Sequence, residues 1–485
     1  MQLRLWLIAI GGLLALVYGA ATLYGPFRPW QMVGFFPLFG LAFVLYALAT
    51  WAVMAATTPH RTVSATLNDS QPTTLPNLRA TLLIVFGFAA LFNGLLLPAL
   101  PTLSDDMYRY IWDGRVQASG VNPYRYPSDA PELTALRDPA IWARMNRPSA
   151  ITVYPPGAEL AFAFIWRLFP DSISGLKAVM IATVLLAGAL LTRLLVRNGQ
   201  NPLRVLIFLW NPLLIFEIAH SAHVDALYLP LIVGALLLRL TAPVERISLR
   251  YEVGIGVLIG LATLIKLYPL ILLPALWAVR RPSGRVWRQS LVLPLAALFT
   301  IAGGYGLYIA PGVDTLGFLS SYTREFFNIA PLPLALIHLA EAHSIAYYLP
   351  SSLLLPLLVG ALSLIFIVRP AATGAETVQR AMWPIALYVL VSINLFSWYV
   401  LWLLPFVTLL LGRTHFAALG WWLFSGLITI SYTLFITGYA PEWAAWVEFI
   451  PLYALLAAAA VTSGLTFIRS RRASTDPRSL EASAT

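Results

Sequence analysis

Two adjacent carboxylates with an arginine close behind, Asp105, Asp106 and Arg109, stand in a chain that is otherwise poor in charge. They belong to the run Ser104-Asp105-Asp106-Met107-Tyr108-Arg109-Tyr110-Ile111-Trp112-Asp113-Gly114-Arg115. A positioned carboxylate can take the proton from an acceptor hydroxyl. A phosphate leaving group needs little acid help, because it already carries charge near neutral pH. It needs a cation to hold that charge. One base and one cation therefore suffice for an inverting displacement at a sugar carbon. Asp106 or Asp105 can be the base, and Arg324, Lys266 or Arg109 the phosphate clamp.

A plainer reading stands beside this one. Ser104 reads as a helix N-cap, with Asp105 and Asp106 in a first turn where negative charge is favoured. Arg109 can pair with Asp105 at i, i+4. Met107, Tyr108, Ile111 and Trp112 recur at helical spacing, and Asp106, Arg109 and Asp113 share another face. Such a helix beside a membrane span is expected to lie in the interface plane. Ionisable groups in an apolar protein tend to be functional, which favours the chemical reading.

Other polar groups fall in separate segments. His220, His223 and Asp225 follow an apolar run; they can serve a site, or cap a helix end and bond carbonyls. Lys266 interrupts another apolar run, as a functional group or one that snorkels to the interface. Trp398 and Tyr399 fit the interfacial aromatic belt. His338, Glu341 and His343 have a spacing that mixed loop ligands reach by chance, so a metal site there is a weak reading.

The elements that must position these groups are apolar. Of 485 residues, 59% are hydrophobic and 11% charged, against about 25% charged in a globular domain. Mean hydropathy is +0.77. The apolar runs have helix length, so the expected fold is all-α: a polytopic membrane helical bundle of roughly 13 to 14 segments. The net charge of +10 is expected in cytoplasmic loops by the positive-inside rule, and no nucleic-acid-binding pattern accompanies it. Cysteine is absent, which excludes disulfides and thiolate chemistry.

In chain order, residues 5–24, 33–56 and 80–100 read as three spans, the first a retained span although a signal peptide was weighed. They deliver the chain to the long loop 101–157. Within it, 132–147 reads as a second surface helix and 158–169 as a helix too short to cross the bilayer. Residues 253–279 read as two short helices meeting at Lys266-Leu267-Tyr268-Pro269. Residues 381–411 read as a hairpin whose tip holds Trp398 and Tyr399. One domain is expected over 1–468, with 101–173 as its extracytoplasmic catalytic loop, and a disordered cytoplasmic tail over 469–485.

The run Asp105-Asp106-x-x-Arg109-Tyr110, then Gly120-x-Asn122-Pro123-Tyr124, then Tyr154-Pro155-Pro156-Gly157 resembles the first outer loop of GT-C glycosyltransferases. The likeness is to the bacterial polyprenyl-phosphate-mannose-dependent mannosyltransferases. His223-x-Asp225, Lys266 with Pro269, and Trp398-Tyr399 before Leu403-Leu404-Pro405 are similar to that branch as well. The extra pair of spans before the loop departs from its simplest layout.

The resemblance implies an inverting hexosyltransferase at the extracytoplasmic face of the bacterial cytoplasmic membrane. It implies a polyprenyl-phosphate sugar as donor, with mannose the first candidate, and a glycolipid, glycan or protein hydroxyl as acceptor. It places the base on Asp106, with Asp105 as a neighbour for the acceptor or for a divalent metal such as Mg or Mn. Arg109, Tyr110, Asp113, Asn122, Tyr124, Tyr154, His223, Asp225, Lys266, Arg324, Trp398 and Tyr399 become candidate substrate-binding residues. A flippase or transporter, or a glycan polymerase or ligase, is the competing reading. A transporter would place its ionisable groups near the bilayer midplane, whereas most acids here fall at one face.

Overall fold

Apolar segments alternate with short polar breaks along this chain, and each apolar segment folds as helix. The structure is a computed structural model that describes residues 2–27, 31–57, 75–243, 248–277, 291–322, 325, 328–343, 348–412, 416–439 and 441–474. Arg324 and residues 475–485 lie outside the described residues.

Three long helices come first: α1 (Gln2–Tyr24), α2 (Met32–Thr57) and α3 (Leu75–Leu96). Helix α1 shows why they pack. Leu7, Ile10, Leu14, Val17, Tyr18 and Ala21 are buried at helical spacing, while Leu5, Trp6, Leu13, Leu16 and Leu23 are exposed. A helix apolar on all sides turns one face to its neighbours and the other to lipid.

The long loop region after α3 follows, with α4 (Asp106–Ala118) and α5 (Pro156–Leu168). Then come α6 (Ile173–Arg197), α7 (Leu206–Leu209), α8 (Pro212–Ile215), α9 (Asp225–Thr241), α10 (Leu249–Ile265) and α11 (Leu273–Trp277). The second half holds α12 (Val292–Gly306), α13 (Leu319–Tyr322), α14 (Pro331–Ala342), α15 (Tyr348–Val368) and α16 (Gly374–Leu390). It closes with α17 (Leu404–Leu410), α18 (Phe416–Leu427), α19 (Leu434–Thr437) and α20 (Glu442–Ser474).

Among the described residues, six helices are long and apolar enough to cross a membrane, or seven if one bent pair counts as a span. The expected 13 to 14 segments are therefore not all continuous spans. The remainder are short helices broken at prolines and polar residues. In lipid such breaks persist where protein or a cavity satisfies the freed backbone groups. The bent pair, Pro202–Leu209 with Pro212–His220, turns by 57°. Asn211 caps its second half by accepting from Leu213 N at 3.0 Å. The expected break at Lys266 is present: α10 ends at Ile265, and a 3-10 turn over Tyr268–Leu272 leads into α11.

Three local expectations change. Helix α4 does not lie exposed in the interface plane, because its residues Met107 to Val116 are all buried. It is enclosed by α5 and the rest of the loop, and Gly114 makes the close approach to α5. A Cβ there would stand 2.6 Å from Phe162 O. The expected helix over 132–147 is only two 3-10 turns, Pro131–Leu136 and Trp142–Arg144. Asp138 separates them, its Oδ1 accepting from Ala140 N and Ile141 N ahead of the second turn. Of the tail expected to be disordered over 469–485, residues 469–474 are helical, since α20 continues to Ser474; the rest lies outside the described residues.

Buried ionic groups tie the bundle together. Arg239 and Glu252 join α9 to α10 through two bonds of 3.0 Å. Lys177 donates to Ala99 O at 2.5 Å and so fixes the chain as it leaves α3.

Candidate active site

A cavity of about 990 Å³ opens between the loop that carries α4 and the broken helices. Its volume is at the upper end of the range for small-molecule sites. One wall carries Asp105, Asp106, Arg109, Tyr110, Asn146 and Arg147; the facing wall carries Lys266, Tyr268, Trp398, Tyr399 and Trp402. Leu355, Pro356, Val359 and Gly360 of α15 supply an apolar side.

The acidic wall is built at the N-terminus of α4. Ser104 Oγ accepts from Asp106 N at 3.3 Å, but the N-cap is Asp105 and not Ser104 as expected. Asn146 Nδ2 donates to Asp105 Oδ1 at 2.6 Å and to Asp106 Oδ1 at 3.0 Å. The two carboxylates are thereby held side by side. Burial pushes the Asp105 carboxyl above the usual carboxylate range, and the charge of Asp106 adds to it. Among the described residues, no three His, Cys, Asp or Glu side chains converge as a metal-binding group.

Arg109 does not pair with Asp105. Its Nε donates to both oxygens of Asp113 at 2.9 Å, and its Nη1 to Ala150 O at 3.0 Å. Behind it, Thr152 Oγ1 and Gln117 Nε2 donate to Glu159 at 2.7 and 2.9 Å. Burial raises the carboxyls of Asp113 and Glu159, and the charge of Asp113 raises Glu159 further. Arg109 reaches the cavity; the rest of this network is a foundation behind the wall.

Asn122 and Tyr124 belong to the same foundation. Asn122 Oδ1 accepts from Tyr124 N at 3.0 Å, and its Nδ2 donates to Tyr308 O at 3.0 Å. Tyr124 OH donates to Tyr154 O at 2.6 Å. Tyr154 and Tyr110 do reach the cavity. Tyr110 stacks on Phe162 with centroids 4.7 Å apart, and its hydroxyl accepts from Val224 N at 3.5 Å.

The facing wall forms at the breaks. Lys266 emerges where α10 stops, and its Nζ lies 3.0 and 3.1 Å from the oxygens of Asp225. Asp225 is fully buried behind it and accepts from Trp402 Nε1 at 2.6 Å and from Tyr228 OH. Tyr268 lies flat on Trp402, with centroids 3.6 Å apart. Trp398 and Tyr399 are buried at 8% and 3% exposure and line the cavity, not the lipid belt. The turn that carries them is packed under α16 and bonded to α13, where Tyr399 and Tyr322 share a hydroxyl hydrogen bond of 2.7 Å. His223 is covered by Trp398, with ring centroids 3.8 Å apart.

The structure thus brings Asp105, Asp106, Arg109, Tyr110, Tyr154, Lys266, Trp398 and Tyr399 to one cavity. It sets Asp113, Asn122, Tyr124, His223 and Asp225 immediately behind the walls. Sequence reasoning missed Asn146, Arg147, Tyr268 and Trp402 as lining residues. Arg147 pairs with Glu325, just after α13, at 2.5 Å, and its guanidinium lies 5.7 Å from the Tyr322 ring centre. It also has a left-handed backbone, φ 47°, which is uncommon for a residue other than glycine. Nothing in its sequence context signals that. His338 bonds Glu442 at 3.3 Å and does not join Glu341 in a ligand set.

Residues 44–281, just under half of the chain, match the MptA_B family, described as alpha-(1->6)-mannopyranosyltransferase, N-terminal domain. The matched segment contains Asp106 and Lys266. None of the curated proteins matches the chain. Among solved structures, the chain is similar to ArnT from Cupriavidus metallidurans bound to undecaprenyl phosphate. The identity is 14% and the TM-score 0.37, over 73% of this chain and 76% of that one. The chain is a multi-pass, mannosyltransferase-like membrane glycosyltransferase.

Proposed function

We propose that this membrane glycosyltransferase moves a hexose from a polyprenyl-phosphate sugar to the hydroxyl of a glycolipid, glycan or protein, with inversion and with Asp106 as base. Mannose is the first sugar to try, because the matching family is named for it. The active face is taken to be the extracytoplasmic side of a bacterial cytoplasmic membrane, from the distribution of arginine among the loops.

One observation carries the reading. The Asp106 carboxylate and the cations of Lys266 and Arg147 line the same cavity, which also has an apolar side. That combination suits a substrate with a hydroxyl at one end of the reaction, a phosphate at the other and a lipid attached.

In the proposed step, Asp106 accepts the proton of the acceptor hydroxyl. The acceptor oxygen bonds to the anomeric carbon from the face opposite the phosphate. The bond from that carbon to the phosphate oxygen breaks, and its electron pair leaves with the phosphate. Lys266 and Arg147 balance the charge that develops there. Asn146 keeps Asp106 turned toward the cavity.

The experiment is transfer by the purified protein from polyprenyl-phosphate mannose, with the anomeric configuration of the product read by NMR. Product of inverted configuration, with free polyprenyl phosphate released in equal amount, is the expected result. Transfer with retained configuration overturns the mechanism. Absence of transfer from every lipid-phosphate hexose overturns the donor assignment.

A further inference from the structure

The cavity wall has a second layer in which His223 lies between two carboxylates. Its Nε2 is 3.3 Å from Glu217 Oε2, and its Nδ1 is 3.8 Å from Asp106 Oδ2. The imidazole is fully buried, and neither ring nitrogen has another hydrogen-bond partner among the described residues. Buried polar groups without partners are rare and call for an explanation.

The carboxylates on both sides divide their oxygens in the same way. Asp106 gives Oδ1 to Asn146 and turns Oδ2 to the imidazole. Glu217 gives Oε1 to Ser397 Oγ at 2.7 Å and to Tyr432 OH at 2.6 Å, and turns Oε2 to the imidazole. Ser397 and Tyr432 themselves line the cavity.

The local backbone serves this placement. Glu217 and His220 lie in a π-helical turn over Phe216–His220, a form that often marks functional positions. Ala222 then takes a left-handed φ of 57°. A non-glycine residue there costs on the order of 1–3 kcal/mol and persists only where its surroundings impose it. His223 N closes the turn onto Glu217 O at 3.1 Å. Trp398 covers the ring.

We propose that His223 is a positioning and proton-relay residue for Asp106, with Glu217 fixing its tautomer and receiving the proton. The inference rests on the reading of Asp106 as base. The proton that Asp106 takes from the acceptor passes to His223 Nδ1, while the proton on Nε2 passes to Glu217 Oε2. One proton enters the imidazole and one leaves it, so Asp106 is a carboxylate again while products are bound. When they leave, the shift reverses: Glu217 returns its proton to Nε2, and Nδ1 gives its proton through Asp106 to water in the cavity, which restores the starting tautomer. The 3.8 Å gap is longer than a hydrogen bond, and such gaps in substrate-free sites commonly tighten when substrate binds. Other ionisable groups near the imidazole are His220 and, beyond it, Lys177.

Glu217→Gln separates this role from packing. The amide keeps the volume and an oxygen that can accept from Ser397 and Tyr432, but it cannot take a proton. We expect kcat to fall by about 10²-fold for Glu217→Gln and for His223→Gln, with KM for the donor changed less than about threefold. A purely structural role predicts near-wild-type kcat for Glu217→Gln, and that result overturns the proposal. A second measurement does not depend on turnover. Nitrogen-15 spectra of histidine-labelled protein report which ring nitrogen carries the proton; the chain has 6 histidines, and His223→Gln assigns the signal. Both Asp106→Asn and Glu217→Gln are expected to change the protonation of the two nitrogens. A His223 signal indifferent to both overturns the proposal even if the donor assignment fails. Loss of transfer in Asp106→Asn with full activity in His223→Gln overturns the relay and leaves the base intact.

Discussion

Lys266 Nζ stands 3.0 Å from Asp225 Oδ1 and 4.5 Å from the centre of the Tyr399 ring. The ammonium is anchored by a carboxylate behind it and by an aromatic face beside it, a favourable place for a desolvated cation. It projects from a helix break, where no side-chain rotation is needed to present it to the cavity. Lys266→Met is therefore expected to lower kcat/KM for the lipid-phosphate sugar by about 10²-fold or more. It is also expected to weaken binding of free polyprenyl phosphate, measured by competition. Unchanged competition would remove Lys266 from the phosphate site.

Asp105 gives a pH signature. Its carboxyl is held high first by burial and then by the charge of Asp106. Asp106→Asn removes the second cause and keeps the first. The Asp105 carboxyl of that variant is expected to titrate at lower pH than in wild type, read from the protonated-carboxyl band in infrared difference spectra. The sign for stability follows. A group raised in the folded state favours folding below its unfolded value, and that contribution is lost as pH rises through the folded value. Asp105→Asn cannot ionise, so its stability is expected to decline less over that window than wild type. A steeper decline would contradict the assignment.

Gly114 tests the seat of the acidic wall. A Cβ at this position would lie 2.6 Å from Phe162 O and 2.9 Å from Trp166 Cβ. The first of these is backbone and cannot rotate away. Gly114→Ala is expected to cost about 1–3 kcal/mol, in the range of overpacked interiors. Thermal unfolding in detergent reads this, and an unchanged midpoint would contradict the packing.

Some of this arrangement was legible in the sequence. Lys266 and Pro269 inside an apolar run marked a break, because a span has no use for either in mid-membrane. Ser104 before two aspartates marked the start of α4 to within one residue: the N-cap is Asp105, and Ser104 accepts from Asp106 N from the position before it. The short apolar run after Gly157 marked α5 by length alone. What stayed hidden depends on contacts between distant segments. Nothing near Asn146 announces that it joins Asp105 to Asp106, 41 and 40 residues away. The approach of Glu217 to His223 needs a π turn and a left-handed Ala222, neither of which apolar periodicity reports. Trp398 and Tyr399 looked like interfacial aromatics because composition does not distinguish a lipid face from a cavity face. Apolar length does not tell a continuous span from a broken one, and among the described residues only six or seven of the expected segments are long enough to cross.

The central claim is that Asp106 is the base. Its most direct test is transfer of labelled mannose from polyprenyl-phosphate mannose by wild type and Asp106→Asn, side by side. The asparagine keeps the shape and an oxygen for Asn146, so the variant is expected to fold and to bind donor as wild type does. It is expected to lose transfer by at least about 10²-fold, the usual contribution of a positioned base. Transfer by Asp106→Asn at the wild-type rate would contradict the account.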